Sequence, residues 1–442
     1  MTDWHDGLRR VVAGTAVLIL AWATVSRVAD RPYLGAARQA AAWIDTTTIR
    51  TPLGFTWRAD PRDPASVNAT LYAGTPGVVL FCVALAQATG ERAFLDRARG
   101  GADWLVASLD KETQSGLYEG LAGIGFTLQE VYKATGDRKY GDGARLVVKR
   151  LHERAKRVGN GVEWNDTTDI IAGSAGTGLF LLYAARELQD PSSLDLAIAA
   201  GRRLIELARP ASGGLTWAMS PTFPRLMPNF SHGTAGVAYF LATLARETAR
   251  REFLDAALLG GRYLQAIAKT DGDACLVFHD EPDNRTLYYL GWCHGPAGTG
   301  RLFYRLFEAT HDAAWIEWAH RSARALIDSG IPEHRTPGFW NNVSVCCGNA
   351  GVAEFMLGLG QATNRRAYVA FARRLTDNLL ERATREGSLL RWVQAEHRTR
   401  PELLVAQTGY MQGAAGIGIW LLRLDAAETG GTLALRLPDT PF

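Results

Sequence analysis

The chain has 442 residues, a net charge of only +3, 47% apolar and 21% charged residues, which is the make-up of an ordinary globular protein. It carries no long basic run, which argues against nucleic acid as a partner, and no Pro/Ser/Gly-rich linker or low-complexity tract divides it. Five cysteines, an odd number in a long chain, argue against a disulfide framework and for a reducing compartment, so the expected location is the cytoplasm.

At the N-terminus, Val11–Val25 is apolar and follows Arg9-Arg10. It is shorter than the roughly 20 residues that span a bilayer. Asp3 and Asp6 spoil a signal-peptide n-region, and no small-residue cleavage site follows. The segment reads as a packed or amphipathic helix in an N-terminal extension, residues 1–30, ahead of a single domain over residues 31–442. Membrane association is the less favoured reading.

From there one pattern recurs seven times: a glycine, two residues, a glycine, then an apolar helical run. The first glycines of the pairs are Gly74, Gly120, Gly173, Gly233, Gly295, Gly348 and Gly413, spaced by 46, 53, 60, 62, 53 and 65 positions. Such self-similarity marks a repeat architecture. Each pair opens a helix apolar nearly all round, such as Gly178-Leu179-Phe180-Leu181-Leu182, and a helix of that kind must be buried on every side. Amphipathic segments alternate with these: Ala36–Ile44, Arg92–Leu109, Tyr140–Leu151, Leu194–Leu207, Phe253–Ile267, Trp315–Ile327 and Tyr368–Leu380. The expected fold is therefore all-α, an α/α toroid of seven outer and seven inner helices, each unit running outer then inner. An open solenoid is the alternative, but it would carry polar caps at its ends. The segments around Trp57, Trp164, Trp217, Trp340 and Trp392 read as loops or short hairpins roofing the ring mouth, either sealing a core or flooring a peptide groove.

Chemistry concentrates just before three of the glycine pairs. The two residues preceding the glycine are Ser231-His232 in the fourth repeat, Cys293-His294 in the fifth and Cys346-Cys347 in the sixth. Equivalent positions in neighbouring repeats lie side by side, so Cys293, Cys346 and Cys347 should converge at the mouth of the ring. Clustered thiolates there are a zinc ligand set. Three cysteines alone leave a tetrahedral position open, as in catalytic sites, whereas His294 as a fourth ligand would close it. The pattern alone leaves both readings standing. Cys82 and Cys275 lie outside the glycine motifs and read as buried fillers.

Gly291-Trp292-Cys293-His294-Gly295 and Cys346-Cys347-Gly348 resemble the two zinc motifs of the lanthionine synthetase C-like cyclases. The glycine repeats extend the resemblance over nearly the whole chain. It implies a toroid with one Zn2+ at its mouth, held by Cys293, Cys346 and Cys347, with His294 beside the substrate instead of on the metal. It also implies catalytic roles for Asp169 and His232, which the pattern alone reads equally as a turn carboxylate and a satisfied buried histidine. The implied reaction adds cysteine thiols to dehydroalanine or dehydrobutyrine in a dehydrated precursor peptide, giving thioether rings. Two departures stand out: Cys347 replaces the more usual histidine, and Tyr289 occupies the place of the family's active-site arginine. No dehydratase region precedes the ring, so the expectation is a stand-alone cyclase served by a separate dehydratase. Two alternatives remain at this stage. One is a non-catalytic zinc toroid binding thiol peptides or glutathione. The other is a carbohydrate-active toroid, a glycosidase or epimerase, which would need paired carboxylates or histidines in the mouth in place of clustered cysteines; Glu119 and Asp169 are the only acidic residues near repeat starts.

Overall fold

The computed structural model describes residues 31–442; the extension over residues 1–30, with Val11–Val25, lies outside the described residues. Seven helices open on the glycine pairs: α2 (Thr75–Thr89), α4 (Leu121–Thr135), α6 (Ser174–Glu187), α8 (Thr234–Thr248), α10 (Pro296–Thr310), α12 (Asn349–Ala362) and α14 (Ala414–Glu428). Seven more surround them: α1 (Pro32–Thr46), α3 (Arg92–Ser108), α5 (Arg138–Arg154), α7 (Pro191–Leu207), α9 (Arg251–Ile267), α11 (Ala313–Asp328) and α13 (Arg366–Glu381). In α2 every residue from Thr75 to Ala86 is buried. In α3 only the stripe Phe94, Ala98, Gly101, Ala102 and Leu105 is. The two patterns place α2 in the inner ring and α3 in the outer one. No helix among the described residues is long and apolar enough to cross a membrane.

The toroid is closed. Tyr72 N donates to Tyr118 O (2.9 Å), Tyr118 N to Ile171 O (2.9 Å), and Ile170 N to Ser231 O (3.3 Å). Ser231 N then donates to Cys293 O (2.9 Å), Cys293 N to Cys346 O (3.1 Å), Cys346 N to Met411 O (2.9 Å), and Met411 N back to Tyr72 O (2.8 Å). This belt of backbone bonds runs through the residue two before each glycine, with the donor one residue earlier, Ile170, in the third repeat, and it excludes the open solenoid. The repeat unit differs from the sequence expectation. Only two residues join α2 to α3 and α4 to α5, so each inner helix pairs with the outer helix that follows it. The first outer helix, α1, pairs instead with the last inner helix, α14, and locks the ring.

The glycines are required by close approach. A Cβ on Gly351 would stand 1.9 Å from Val345 O, and one on Gly298 2.0 Å from Trp292 O. We expect Gly351→Ala to cost about 3 kcal/mol, since backbone cannot move aside as a side chain can. A denaturant titration against wild type checks this, and an unchanged midpoint would contradict it.

Short antiparallel hairpins leave five outer helices and lean on the next outer helix round the ring. They are β1–β2 (Thr48–Thr51, Gly54–Trp57), β3–β4 (Lys156–Val158, Gly161–Glu163), β5–β6 (Arg209–Ala211, Gly214–Thr216), β7–β8 (Lys269–Asp271, Ala274–Leu276) and β9–β10 (Thr384–Glu386, Leu389–Arg391). Their tryptophans seal the wall and do not floor a groove. Trp164, Trp217 and Trp392 each donate Nε1–H to the carbonyl of the residue thirteen positions earlier, Leu151, Leu204 and Leu379, near the ends of α5, α7 and α13. Trp57 is buried and bonds Thr48 Oγ1. Of the five tryptophan segments only that of Trp340 reaches the ring's cavity. A sixth hairpin, β11–β12 (Gln394–Ala395, Leu404–Val405), carries the loop that borders it.

Below the belt the axis is filled. Trp292 meets Tyr118 and Phe230 edge to face, with ring centroids 5.4 and 5.6 Å away. Its Nε1–H donates to Asp439 Oδ2 (3.1 Å) of the C-terminal tail, which also buries Leu433, Leu435 and Leu437. Arg301 of α10, only 2% exposed, pairs with Glu354 of α12 (2.8 Å), and Glu354 pairs with Arg423 of α14. The mouth is thus a cup with a sealed floor.

Candidate metal centre and active site

The belt sets the positions of the side chains above it. Cys293 and Cys346 occupy the same step in adjacent repeats, and Cys347 follows one residue on. Their sulfurs all lie within 4.8 Å of one another, with Cys293 Sγ 3.5 Å from Cys347 Sγ. That is far beyond the disulfide bond length of about 2.05 Å, and all five cysteines are free. The three are only 5%, 4% and 8% exposed. Two donors, from the first and seventh repeats, face them: Tyr72 O–H to Cys346 Sγ and Gln412 Nε2–H to Cys347 Sγ, both 3.6 Å. Gln412 also donates to Tyr72 Oη (3.1 Å).

Cys346, accepting first from Cys293 and then from Cys347, has its thiol drawn well below the ordinary value. The same sharing, with burial, pushes Cys293 and Cys347 up. Three buried sulfurs within 4.8 Å of one another, met by N–H and O–H donors, form a pocket that a cation would fill as the thiols ionise. Three sulfurs with no carboxylate among them suit a soft divalent ion. The donor set therefore fits the metal that the sequence pattern suggested, and among the described residues this is the one His/Cys/Asp/Glu cluster close enough to hold an ion. Neither His294 nor His232 belongs to it. Cys82 and Cys275 sit elsewhere as fillers, their thiols pushed up to about 12 and about 11 by burial.

A cavity of about 220 Å³ opens above the sulfurs, and His232 and His294 line it. His232 Nδ1 lies 2.6 Å from Asp169 Oδ2. Asp169 is 1% exposed, and its other oxygen accepts from Ala172 N and Gly173 N, both 2.9 Å. The carboxylate thus holds both the turn and the histidine, which joins the two readings the sequence left apart. Burial alone would lower the His232 pKa, but the bond and charge of Asp169 raise it above the ordinary histidine value. His294 Nε2 meets Ser231 Oγ at 3.3 Å. Burial, with His279 and His232 nearby, lowers its pKa well below the usual value and keeps it neutral.

Sequence reasoning missed several residues here. Tyr72 and Gln412 sit at repeat-equivalent positions, so the comparison that found the cysteines could have found them. His279 and Arg398 lie in loops with no counterpart in other repeats and gave no such signal. Tyr289 packs on Trp340, centroid to centroid 5.1 Å, and its hydroxyl accepts from Arg398 Nε (3.2 Å). Glu119, the other acidic residue near a repeat start, has its carboxyl raised by burial and by Asp169.

The sequence matches the family described as lanthionine synthetase C-like protein over residues 65–431, so the chain belongs to that family. A search of curated proteins gives no match. Among solved structures the fold is similar to nisin cyclase at 16% identity and TM-score 0.61, covering 91% of this chain and 95% of that one. It is also similar to a glycoside hydrolase family 76 mannosidase from Bacteroides thetaiotaomicron at 12% identity and TM-score 0.52, over 90% and 99% of the two chains. An α-1,6-mannanase from Salegentibacter sp. shares 12% identity at TM-score 0.50, over 89% and 99%. At these identities the likeness is one of fold, and it bears out the all-α toroid.

Proposed function

We propose that this lanthionine synthetase C-like protein is a zinc-dependent cyclase that joins cysteine thiols of a dehydrated peptide to its dehydroalanine or dehydrobutyrine residues. The observation that carries the reading is the buried cluster of Cys293, Cys346 and Cys347 at the foot of an open cavity, with the His232–Asp169 pair beside it. What favours this reading over a carbohydrate-active toroid is the three clustered cysteines at the foot of the cavity, which sugar chemistry does not call for.

Zinc held by three thiolates would lower the pKa of an incoming thiol from about 8.5 and leave its sulfur electron-rich. The rest falls to the chain's own residues. Asp169 fixes the tautomer of His232 by holding Nδ1, so Nε2 is the atom that exchanges a proton. As the substrate sulfur bonds to the β-carbon, the alkene electrons move toward the α-carbon and its carbonyl oxygen. His232, kept protonated by Asp169, gives its proton to the α-carbon and completes the thioether. His294, neutral and anchored on Ser231, is the second acid/base candidate. The sealed floor of aromatics keeps the peptide at the rim, so only the reacting side chains enter. The peptide would come from a separate dehydratase, and the free thiols suit a reducing cytoplasm.

The test incubates zinc-loaded protein with a dehydrated, cysteine-containing peptide. Free thiols should disappear with no change in peptide mass. Thiols lost no faster than in the protein-free control would overturn the reading and favour a toroid that only binds thiol peptides.

A further inference from the structure

The cavity holds a second Asp–His pair that neither the sequence motifs nor the family match assigns. His279, in the loop after β8, lies with Nδ1 2.6 Å from Asp280 Oδ2. Asp280 is 1% exposed, and Asn284 Nδ2 donates to the same oxygen at 2.8 Å, which fixes the carboxylate. The backbone holds the loop as well: His279 N donates to Leu287 O (2.7 Å) and Asn229 Nδ2 to Phe278 O (2.7 Å). The His279 ring lines the cavity, 4.4 Å from the His294 ring centroid and 4.3 Å from that of Tyr289. His232 stands 5.7 Å from His294. Two histidines are therefore neighbours of His294 in the cavity wall, each with Nδ1 held by a buried carboxylate and Nε2 left for the cavity.

We propose that His279, oriented by Asp280, is a further catalytic residue that takes the proton from the incoming cysteine thiol. This rests on the cyclase reading above. Two protons must move in that reaction: one leaves the thiol sulfur and one reaches the α-carbon. With His232 alone both fall on one nitrogen, which must reach the sulfur and the α-carbon in turn, and His294 has Nε2 on Ser231 and no carboxylate holding its other nitrogen. With two, His279 Nε2 accepts the thiol proton, the S–Cβ bond forms as the alkene electron pair shifts to the α-carbon, and His232 Nε2 donates there. The enzyme returns to its starting state when a proton passes from His279 to His232, through His294 or the water of the open cavity. No other reactant is needed. The charge states suit the division: burial lowers the His279 pKa, leaving a base, whereas Asp169 raises that of His232, leaving an acid. A loop lock made by Asp280 and Asn284 alone would not call for an imidazole turned toward the cavity.

The test reads the pH profile of cyclisation as well as its rate. A base of lowered pKa, set by burial, Asp280, Arg398 and Arg225, keeps wild type active at neutral pH, and activity falls as pH drops through that value. Cyclisation by His279→Gln should fall about 10²-fold at pH 7 and lose that acidic limb. Asp280→Asn, which leaves the ring in place but removes the charge that raises its pKa, should lower the rate and move the limb to lower pH, and serves if His279→Gln does not fold. A rate loss with the acidic limb unmoved, or no loss at all, would overturn the proposal and leave the cyclase reading standing. Wild type that never cyclises a dehydrated peptide would refute the cyclase reading and the proposal with it.

Discussion

Cys346→Ala should lose its metal and its cyclisation activity while keeping its fold. Cys346 lies in the cluster of three sulfurs, all within 4.8 Å of one another, and accepts from Tyr72 O–H (3.6 Å), so its sulfur faces the place a cation would take. Outer-sphere partners of metal ligands are typically worth 10–100-fold in affinity, so removing a ligand should cost more than about 100-fold. The ring itself should survive. The belt bond at this step runs from Cys346 N to Met411 O through the backbone, and alanine preserves it. The removed atom is a single sulfur, so the packing loss is small. Elemental analysis of the purified variant, beside circular dichroism and a thermal melt, checks both halves. Cys82→Ala is the control, since that thiol sits in the all-apolar face of α2 away from the cluster. A variant that retains zinc at wild-type stoichiometry would show that Cys346 is not a ligand.

Asp169→Asn should keep the metal and lose the chemistry. The carboxylate accepts two backbone N–H bonds through one oxygen and holds His232 Nδ1 through the other. Asparagine placed with its carbonyl toward the turn keeps the backbone bonds but presents an amide to the histidine. His232 then loses the charge that raises its pKa and the partner that sets its tautomer. General acid–base groups typically contribute 10²–10⁴-fold, and the loss should fall in that range, of the order of 10³-fold. The pH profile carries the sharper signature. His232 acts as an acid with a raised pKa, so wild-type activity should persist through neutral pH and fall as pH rises past that value. In the variant the fall should begin at lower pH, because the raising partner is gone. Steady-state rates across pH for both proteins check this, with zinc content as the control. An unmoved alkaline limb would mean that His232 is not the proton donor.

The ring was legible because its cause is local and repeats. Each glycine pair reflects a carbonyl from the preceding turn lying against the start of an inner helix, and the same contact recurs round the circle, as at Gly298 and Gly351. Equivalence of position then carried Cys293, Cys346 and Cys347 into one cluster, since neighbouring steps of the belt are hydrogen-bonded side by side. What escaped reading depends on contacts that periodicity does not encode. The tryptophans after the hairpins bond to carbonyls thirteen residues back, a partner set by the angle between hairpin and helix. The pairing of α1 with α14 joins the two ends of the ring, so the sequence order of outer and inner helices misled. Asp169 and His232 were legible only through the family likeness, because Asp169 stands four residues before its glycine and His232 one, so repeat equivalence does not align them. His279 stands outside the repeat frame altogether, in a loop whose shape is set by Asp280 and Asn284.

The central claim is a three-thiolate zinc site with one position left for a substrate thiol. X-ray absorption at the zinc edge of purified wild type, alone and with a cysteine peptide, tests it most directly. The expected result is one zinc per chain with three sulfur neighbours and one lighter atom, changing to four sulfurs when the peptide is added. Protein that holds no zinc, or zinc whose neighbours do not change on adding the thiol, would contradict the account.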